Sequence, residues 1–222
     1  MKVLTQEEFD QLRKDIIEVI EEDAYGWKVA RLTNGSFLKF FRTKRLISSA
    51  VLYPYAKRFS RNASKLKELG FETVSVINLY KIKDPNRDIV HYQPLHGETL
   101  RNIAKVQNNG LSNDLIKQLG SFIAELHEKG VYFRSLHLGN VVLTKTGTLG
   151  LIDISDMKFY SKLSTSQKIR NFRHMFRYKK DANLLTEKCS SAFIDGYFSS
   201  LNNNDYQVIY TKFFQLLQPT RQ

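Results

Sequence analysis

Four polar residues between positions 135 and 153 carry side chains suited to phosphate chemistry: Ser135, His137, Asn140 and Asp153. Asn140 and Asp153 offer oxygen atoms, the ligands that Mg²⁺ prefers in proteins. His137 can donate a hydrogen bond to a phosphoryl group that is being transferred. Ser135 supplies a hydroxyl in the same loop, and Asp156 could contribute a second carboxylate three residues after Asp153. We therefore take Ser135, His137 and Asp156 as candidate catalytic residues and the other two as candidate metal ligands.

The order of these residues is typical of kinase-like phosphotransferases. Those enzymes carry a loop H-R-D-L-x-x-x-N, then an apolar hairpin, then D-F-G, and the loop Asn and the D-F-G Asp hold Mg²⁺. In this chain the loop is Phe133–Asn140 and the apolar strands are 141–143 and 149–152, followed by Asp153. Ser135 occupies the position of the catalytic Asp. The sequence therefore has both metal ligands without the usual base.

A lysine near the N-terminus is the candidate phosphate ligand. Lys39 lies mid-strand, and the period-two alternation of a strand places it on one face with Phe37 and Phe41. An ammonium on a buried face needs an anionic partner, which nucleotide phosphates would provide. In the alternative interpretation, Lys39 is exposed and Leu38 and Phe40 face the core. Whether the bulk of Phe37 leaves room for an adenine ring stays open.

Two absences in the sequence weaken the expected nucleotide site. Kinases pair the lysine with a helix glutamate, whereas Asn62 takes that place here and can offer Lys39 a hydrogen bond but no charge. There is also no G-x-G-x-x-G motif, so fewer backbone N–H groups are available to hold phosphates. These departures favour weak binding, or binding without turnover.

The pattern of apolar residues predicts an α+β chain. A capping box at Thr5–Glu8 begins a predicted amphipathic helix over 6–22. Strands at 27–32 and 37–41 flank the turn Asn34-Gly35. Further predicted elements are a helix over 48–69, strands over 73–82 and 89–92, an irregular connector over 93–97, a helix from 100, a longer helix capped by Ser112, and helices from 168 onward with a break near 202–204. We expect one kinase-like domain, with a small antiparallel-sheet lobe (1–93) and a helical lobe (94–222).

Charge and composition limit which partners and which cellular location are expected for the chain. The net charge is +12, and residues 24–67 and 158–180 contain many Lys and Arg but no acid. Such segments attract anions, which predicts a nucleotide, an anionic envelope lipid or a phosphorylated glycolipid as partner. No nucleic-acid recognition motif accompanies the charge, so nucleic acid is not expected. The single cysteine, Cys189, excludes an internal disulfide, and no run reaches 18 apolar residues. We expect a cytoplasmic protein that could lie at the inner membrane.

Four stretches also carry a family resemblance: Tyr53–Phe59, Tyr92–Arg101, Tyr132–Asn140 and Arg170–His174. On these, the chain resembles the bacterial toluene tolerance proteins, small relatives of lipopolysaccharide core kinases and of the small atypical kinases of the KEOPS type. The resemblance implies a compact protein-kinase-like fold, ATP with Mg²⁺ as cofactors and a link to the Gram-negative envelope. It also implies that Tyr92–Arg101 contains the hinge, so that backbone groups from Gln93 to Leu95 face the adenine.

Two functions are therefore expected. The first is a slow ATP-dependent phosphotransferase acting on a lipopolysaccharide-type or small-molecule acceptor. The alternative is a pseudokinase that acts as a binding or scaffolding module, which the serine at position 135 and the missing glycine loop favour.

Overall fold

The computed structural model describes residues 1–42, 54–107, 110–185, 190–201 and 206–217. Within these residues the chain is α+β, with eight α-helices and twelve strands. It divides into two compact units. Unit 1 comprises Met1–Leu95 together with Ile154–Asp156, and unit 2 comprises His96–Asp153 together with Met157–Gln222. The predicted one-domain, two-lobed organisation stays a prediction.

Unit 1 is built on a six-stranded sheet. Its elements are β1 (Lys2–Val3), α1 (Gln6–Lys14), β2 (Ile16–Asp23), β3 (Gly26–Leu32), β4 (Phe37–Arg42), α2 (Tyr55–Glu68), β5 (Glu72–Thr73), β6 (Ser75–Ile82) and β7 (Arg87–Gln93). The strand order in the sheet is β1-β6-β7-β4-β3-β2. Because β1 pairs with β6 in parallel while the other pairs are antiparallel, the sheet is mixed, and the expectation of a purely antiparallel sheet was wrong.

Unit 2 contains short strands and most of the helices. Its elements are β8 (Gly97–Thr99), α3 (Leu100–Val106), α4 (Asn113–Glu128), β9 (Val131–Phe133), β10 (Val141–Thr144), β11 (Leu149–Leu151), β12 (Met157–Phe159), α5 (Thr165–Met175), α6 (Lys179–Asn183), α7 (Ser190–Ser199) and α8 (Tyr206–Leu217). Strand β10 pairs with both β8 and β11, and β9 pairs with β12, all antiparallel. A 3-10 turn at Leu138–Asn140 precedes β10.

The predicted N-terminal helix over 6–22 is wrong in its second half. The capping box is confirmed, because Thr5 and Glu8 bond each other's backbone N–H groups, but α1 ends at Lys14. Residues 16–23 instead form β2, which pairs antiparallel with β3. Ile16, Val19 and Ile20 fit helical spacing, but they are β-branched and favour a strand when a partner is available. Pairing with β3 therefore overrides the helical periodicity.

Other predicted elements are largely confirmed. Asn34-Gly35 forms the β3–β4 turn, with Gly35 at a φ of +79°, which favours glycine, and Ser112 caps α4. Residues 93–97 are less irregular than expected, because β8 begins at Gly97. The C-terminal helices start earlier than expected, at Thr165, where Ser164 and Gln167 form a capping box. Of the predicted helix over 48–69, residues 48–53 lie outside the described residues, as does the predicted break near 202–204.

The centre of unit 2 is a close contact between α4 and α7. A Cβ on Gly120 would lie 2.4 Å from the Phe193 carbonyl oxygen, and one on Gly196 would lie 2.0 Å from that of Lys117. Only glycine permits this approach of two backbones. Beneath it, Phe172 packs edge-on against Tyr197, with ring centroids 4.9 Å apart. These contacts bury the facing sides of the helices, and these helices support the loop after β9.

His127 is a buried, neutral member of this core. Its Nδ1 lies 2.8 Å from the Tyr197 hydroxyl and its Nε2 lies 3.2 Å from Asn171 Oδ1. Because the Asn171 oxygen can only accept, Nε2 carries the ring proton and Nδ1 accepts from the tyrosine. Burial lowers the pKa of His127 from 6.5 to about 3.

This pKa predicts an acid-sensitive core. Below pH 6.5, His127 takes up a proton in the unfolded chain but stays neutral in the folded chain. The contribution of His127 to the free energy of unfolding is therefore fully present above pH 6.5 and is lost as the pH falls towards 3. Urea unfolding should show a loss of up to about 1.4 kcal/mol per pH unit from this group. His127→Gln, which keeps hydrogen-bonding capacity without titrating, should show a shallower slope. Equal slopes for both proteins would contradict this assignment.

Candidate functional site

The pairing of β10 with β11 brings the two candidate metal ligands to one end of a hairpin. Val141 lies opposite Leu151, and the Ile152 N–H donates to the Asn140 carbonyl oxygen at 3.1 Å. Asn140 directly precedes one strand, and Asp153 follows the other after a single residue. Because antiparallel register aligns residues across the pair, both side chains belong to the same open end of the hairpin. The predicted apolar hairpin is thereby confirmed.

Asn140 is held by the loop it terminates. Its side chain is buried, and its Nδ2 donates to the Ser135 carbonyl oxygen at 2.9 Å. Its backbone N–H donates to the His137 carbonyl oxygen at 2.9 Å. With the amide nitrogen engaged by the loop, Oδ1 is the side-chain atom suited to a cation. The fixed orientation lowers the entropic cost of using that oxygen as a ligand.

Asp153 adopts a strained backbone conformation. Among the described residues other than glycine, it alone has a positive φ, at 52°. This left-handed region costs an ordinary residue about 1 kcal/mol or more, and Asp and Asn tolerate it best. The Asp153 side chain is exposed. Such strain is often found at ligand sites, where the surrounding structure imposes it.

His137 is oriented to donate a hydrogen bond. Its Nδ1 accepts from the Gly139 N–H at 3.1 Å, and its ring packs edge-on against Tyr178 at 4.9 Å between centroids. Burial and the positive charge of Arg101 lower the pKa of His137, against smaller opposing effects of Asp181 and Asp153. The ring is therefore neutral near pH 7 with its proton on Nε2. That nitrogen can donate to a phosphate oxygen.

A buried ion pair that sequence reasoning missed anchors the loop. Asp181 is buried, and its Oδ2 accepts from the Leu138 N–H at 3.2 Å and from Arg101 Nη2 at 2.7 Å. The Nε of Arg101 donates to Oδ1 at 3.2 Å, which completes a bidentate pair, and the guanidinium lies 4.6 Å from the ring centre of Tyr178. Asp181 lies 43 residues from Leu138 and belongs to no recognised motif, so no signal in the sequence pointed to it.

Asn171 holds the start of the same loop. Its Nδ2 donates to the Phe133 carbonyl oxygen, and its Oδ1 accepts from the Phe133 N–H at 3.5 Å. Leu136 and Leu138 are buried beneath the loop. The alternation of buried leucines with half-buried Ser135 and His137 turns the polar side chains away from the core.

In unit 1 the structure places Lys39 on the predicted face. Phe37 packs against Tyr92 with centroids 5.8 Å apart, Phe41 packs against Phe59 at 6.2 Å, and Lys39 is half-buried between the two phenylalanines. Its Nζ lies 5.8 Å from the Phe41 ring centre. On the other face, Leu38 and Phe40 join the core cluster with Leu4, Phe9, Ala30, Leu32, Ile82 and Ile89. The core face of β4 is therefore that of Leu38 and Phe40, as in the alternative interpretation, while Lys39 on the other face is half-buried rather than exposed.

The remaining predicted residues also lie in unit 1. Asn62 is buried, and its Nδ2 donates to the Ile154 carbonyl oxygen at 2.7 Å. This bond ties α2 to the 3-10 turn at Ile154–Asp156, in which Asp156 is half-buried. Gln93 ends β7 opposite Ser75, and Leu95 is half-buried beyond it. Their assignments to nucleotide or catalysis stay predictions.

The structure thus groups Ser135, His137, Asn140 and Asp153 within unit 2. Two of these offer oxygen ligands from one hairpin end. In the part of the chain that the structure describes, no cluster of three or more His, Cys, Asp or Glu could hold a metal unaided. Mg²⁺ is commonly bound by one or two protein oxygens and completed by phosphates and water. The donor set of Asn140 and Asp153 therefore fits Mg²⁺ carried by a phosphorylated ligand.

Comparison with known proteins adds no assignment. No protein-family model matches the chain, and a search of curated proteins gave no significant match. Across the described residues, none of the helices has the length and apolar character needed to cross a bilayer.

The Asp181–Arg101 pair should make a measurable contribution to stability. A double-mutant cycle with Asp181→Asn and Arg101→Gln, followed by urea unfolding, should give a coupling of about 2 kcal/mol, because the carboxylate is buried and bidentate. The matched control is the exposed pair Lys65–Glu68, for which a coupling of no more than about 0.5 kcal/mol is expected. Equal coupling in both cycles would show that the buried pair does not anchor the loop.

Proposed function

We propose that the chain is a kinase-like protein that binds ATP with Mg²⁺ and transfers phosphate slowly to an alcohol acceptor. The observation that carries the proposal is the hairpin register that joins Asn140 and Asp153, after a loop that presents His137. Two oxygen ligands at the end of an apolar hairpin are the arrangement that kinase-like enzymes use to hold metal against nucleotide phosphates. The resemblance to toluene tolerance proteins and lipopolysaccharide core kinases supports the same proposal and a two-lobed kinase-like fold.

Each residue then has a distinct task. Asn140 and Asp153 would hold Mg²⁺, which when bound neutralises charge on the transferring phosphoryl group. His137 donates from Nε2 to a phosphate oxygen, and Arg101 with Asp181 keeps the loop in place. Lys39 is proposed as a further phosphate ligand. The backbone between Gln93 and Leu95 is proposed to face the adenine.

Ser135 accounts for the slow rate. A serine hydroxyl does not accept a proton at neutral pH as a carboxylate does, and general-base assistance is worth about 10²–10⁴-fold. Phosphoryl transfer depends mainly on positioning and electrostatics, so the reaction is slowed but not abolished.

A pseudokinase is the second candidate, and one contact favours it. The amide of Asn62 is used to bond the Ile154 carbonyl oxygen, and Asn62 supplies no charge to hold a lysine in the arrangement that active kinases need. In this alternative, nucleotide binding regulates a contact with a partner and no phosphate is transferred.

The acceptor is proposed to be anionic and to belong to the Gram-negative envelope. Its support is the family resemblance and the basic segments 24–67 and 158–180. A peripheral position at the inner membrane is consistent with such an acceptor.

Asp153→Asn tests the metal site. Asparagine tolerates the positive φ, so the fold should be retained, while loss of the charge should weaken Mg-ATP binding about tenfold or more. Isothermal titration with ATP, with and without Mg²⁺, measures this effect. Asp195→Asn, an exposed carboxylate on α7, is the control for net charge and should bind as wild type does. Unchanged Mg-ATP affinity in Asp153→Asn would remove the site assignment.

Ser135→Asp tests the catalytic account. Restoring the carboxylate should raise the rate of ATP hydrolysis or transfer, by up to the 10²–10⁴-fold expected for a general base. A lower rate than wild type would mean that the serine serves another mechanism, with His137 or Asp156 as the base. If neither protein hydrolyses ATP although both bind it, the pseudokinase replaces the enzyme.

A further inference from the structure

One cavity in unit 2 is lined by none of the residues assigned to the metal. Its volume is about 530 Å³, and Arg134, Lys158, Arg170, Arg173 and His174 contribute to its wall. Among the residues that the structure describes, no Asp or Glu lines it. A cavity of this size and uniform charge sign could receive an anion considerably larger than inorganic phosphate.

Three elements bring these side chains together. Lys158 on β12 lies directly opposite Tyr132 on β9, so both project from the same face of the strand pair, and Arg134 follows β9. Arg170, Arg173 and His174 are spaced by three and four residues on α5 and therefore share one helix face. The opposite face of α5, with Ile169 and Phe172, is buried. The basic wall is thus fixed by regular secondary structure.

In the described part of the chain, no carboxylate pairs with the positive charges of this wall. Within the described residues, Arg134, Lys158, Arg170 and Arg173 form no ion pair, whereas the buried Lys168 on the same helix contacts Glu128 at 3.0 Å. Four like charges around one cavity repel one another. An anion in the cavity would relieve that repulsion.

The pKa of the histidine in this wall, His174, is lowered by burial and by positive charges around it. His174 Nε2 lies 3.3 Å from the Tyr132 hydroxyl, and the two rings pack edge-on at 6.3 Å. Burial lowers the pKa of His174, and the positive charges of Arg177, Arg134 and Arg170 lower it further. Several cations therefore act on the same region.

We propose that this cavity binds a phosphate monoester whose organic part is about the size of a sugar. Guanidinium groups match phosphate oxygens bidentately, which favours arginine over lysine at such sites. Tyr160, which is 40% exposed, supplies aromatic surface for the organic part. A soluble sugar phosphate and a phosphomonoester lipid headgroup share this chemistry. The site requires neither ATP nor Mg²⁺, so it does not depend on the proposed function.

The test is isothermal titration of the full chain, without nucleotide or metal, with inorganic phosphate and with glucose 6-phosphate. Glucose 6-phosphate should bind at least as tightly as inorganic phosphate, and glucose should not bind. Arg170→Gln with Arg173→Gln should weaken binding about tenfold or more. Lys117→Gln with Lys145→Gln removes the same charge from exposed positions outside the cavity and should change affinity less than twofold.

Two further measurements test where the ligand binds and which kind of phosphate ester it is. Bound phosphate should raise the pKa of His174, followed by proton NMR and assigned by loss of one histidine signal in His174→Gln. Phosphatidic acid vesicles, compared with phosphatidylcholine vesicles by co-sedimentation, distinguish a lipid headgroup from a soluble ester.

No binding of glucose 6-phosphate or phosphatidic acid by wild type, or equal losses in the two double variants, would overturn the proposal. If the double variant Arg170→Gln with Arg173→Gln fails to fold, Lys158→Gln is measured in its place. The Asp153→Asn variant should keep phosphate-ester binding, so failure of the metal site and failure of this site are distinguishable.

Discussion

The antiparallel pairing of β10 with β11 is the constraint on which the candidate site depends. The bond from the Ile152 N–H to the Asn140 carbonyl oxygen continues the ladder to the last residues before the strands separate. A shift of register by one residue would move one of the two oxygen ligands to the opposite face of the hairpin. Val141 and Leu151 are buried, so such a shift would also displace them from their packing in the core. Core packing and ligand geometry are therefore specified by the same pairing.

The loop before the hairpin is held by residues that take no part in the proposed chemistry. Asp181 accepts from the loop backbone and from Arg101, and Asn171 holds both backbone groups of Phe133. These groups are buried and cannot bond to water. Without these bonds they would be left unsatisfied, which would destabilise the folded chain. The consequence is a loop in which the orientations of His137 and Asn140 are set before any ligand binds, which is the preorganisation that electrostatic catalysis requires.

The sequence predicted the residues of the candidate site, but not the residues that support the loop before the hairpin. The hairpin and its flanking polar residues could be predicted because local spacing determines which side chains share its open end. The contacts of Asp181 and Asn171 could not, because their partners lie 43 and 38 residues away and nothing in the local sequence shows which backbone groups they bond. The helix predicted over 6–22 failed for a related reason, since the partner strand of Ile16–Asp23 is a tertiary feature. Strands of three residues, such as β9 and β12, are too short to show an alternation.

The central claim is that Asn140 and Asp153 jointly hold a metal that arrives with nucleotide. Mn²⁺ is a close substitute for Mg²⁺ at oxygen sites and broadens NMR signals of nearby nuclei. Backbone amide spectra recorded with Mn²⁺ and ATP should show broadening centred on residues 139–141 and 151–153, and Mn²⁺ without ATP should produce much less. Broadening centred elsewhere, or independent of ATP, would contradict the account.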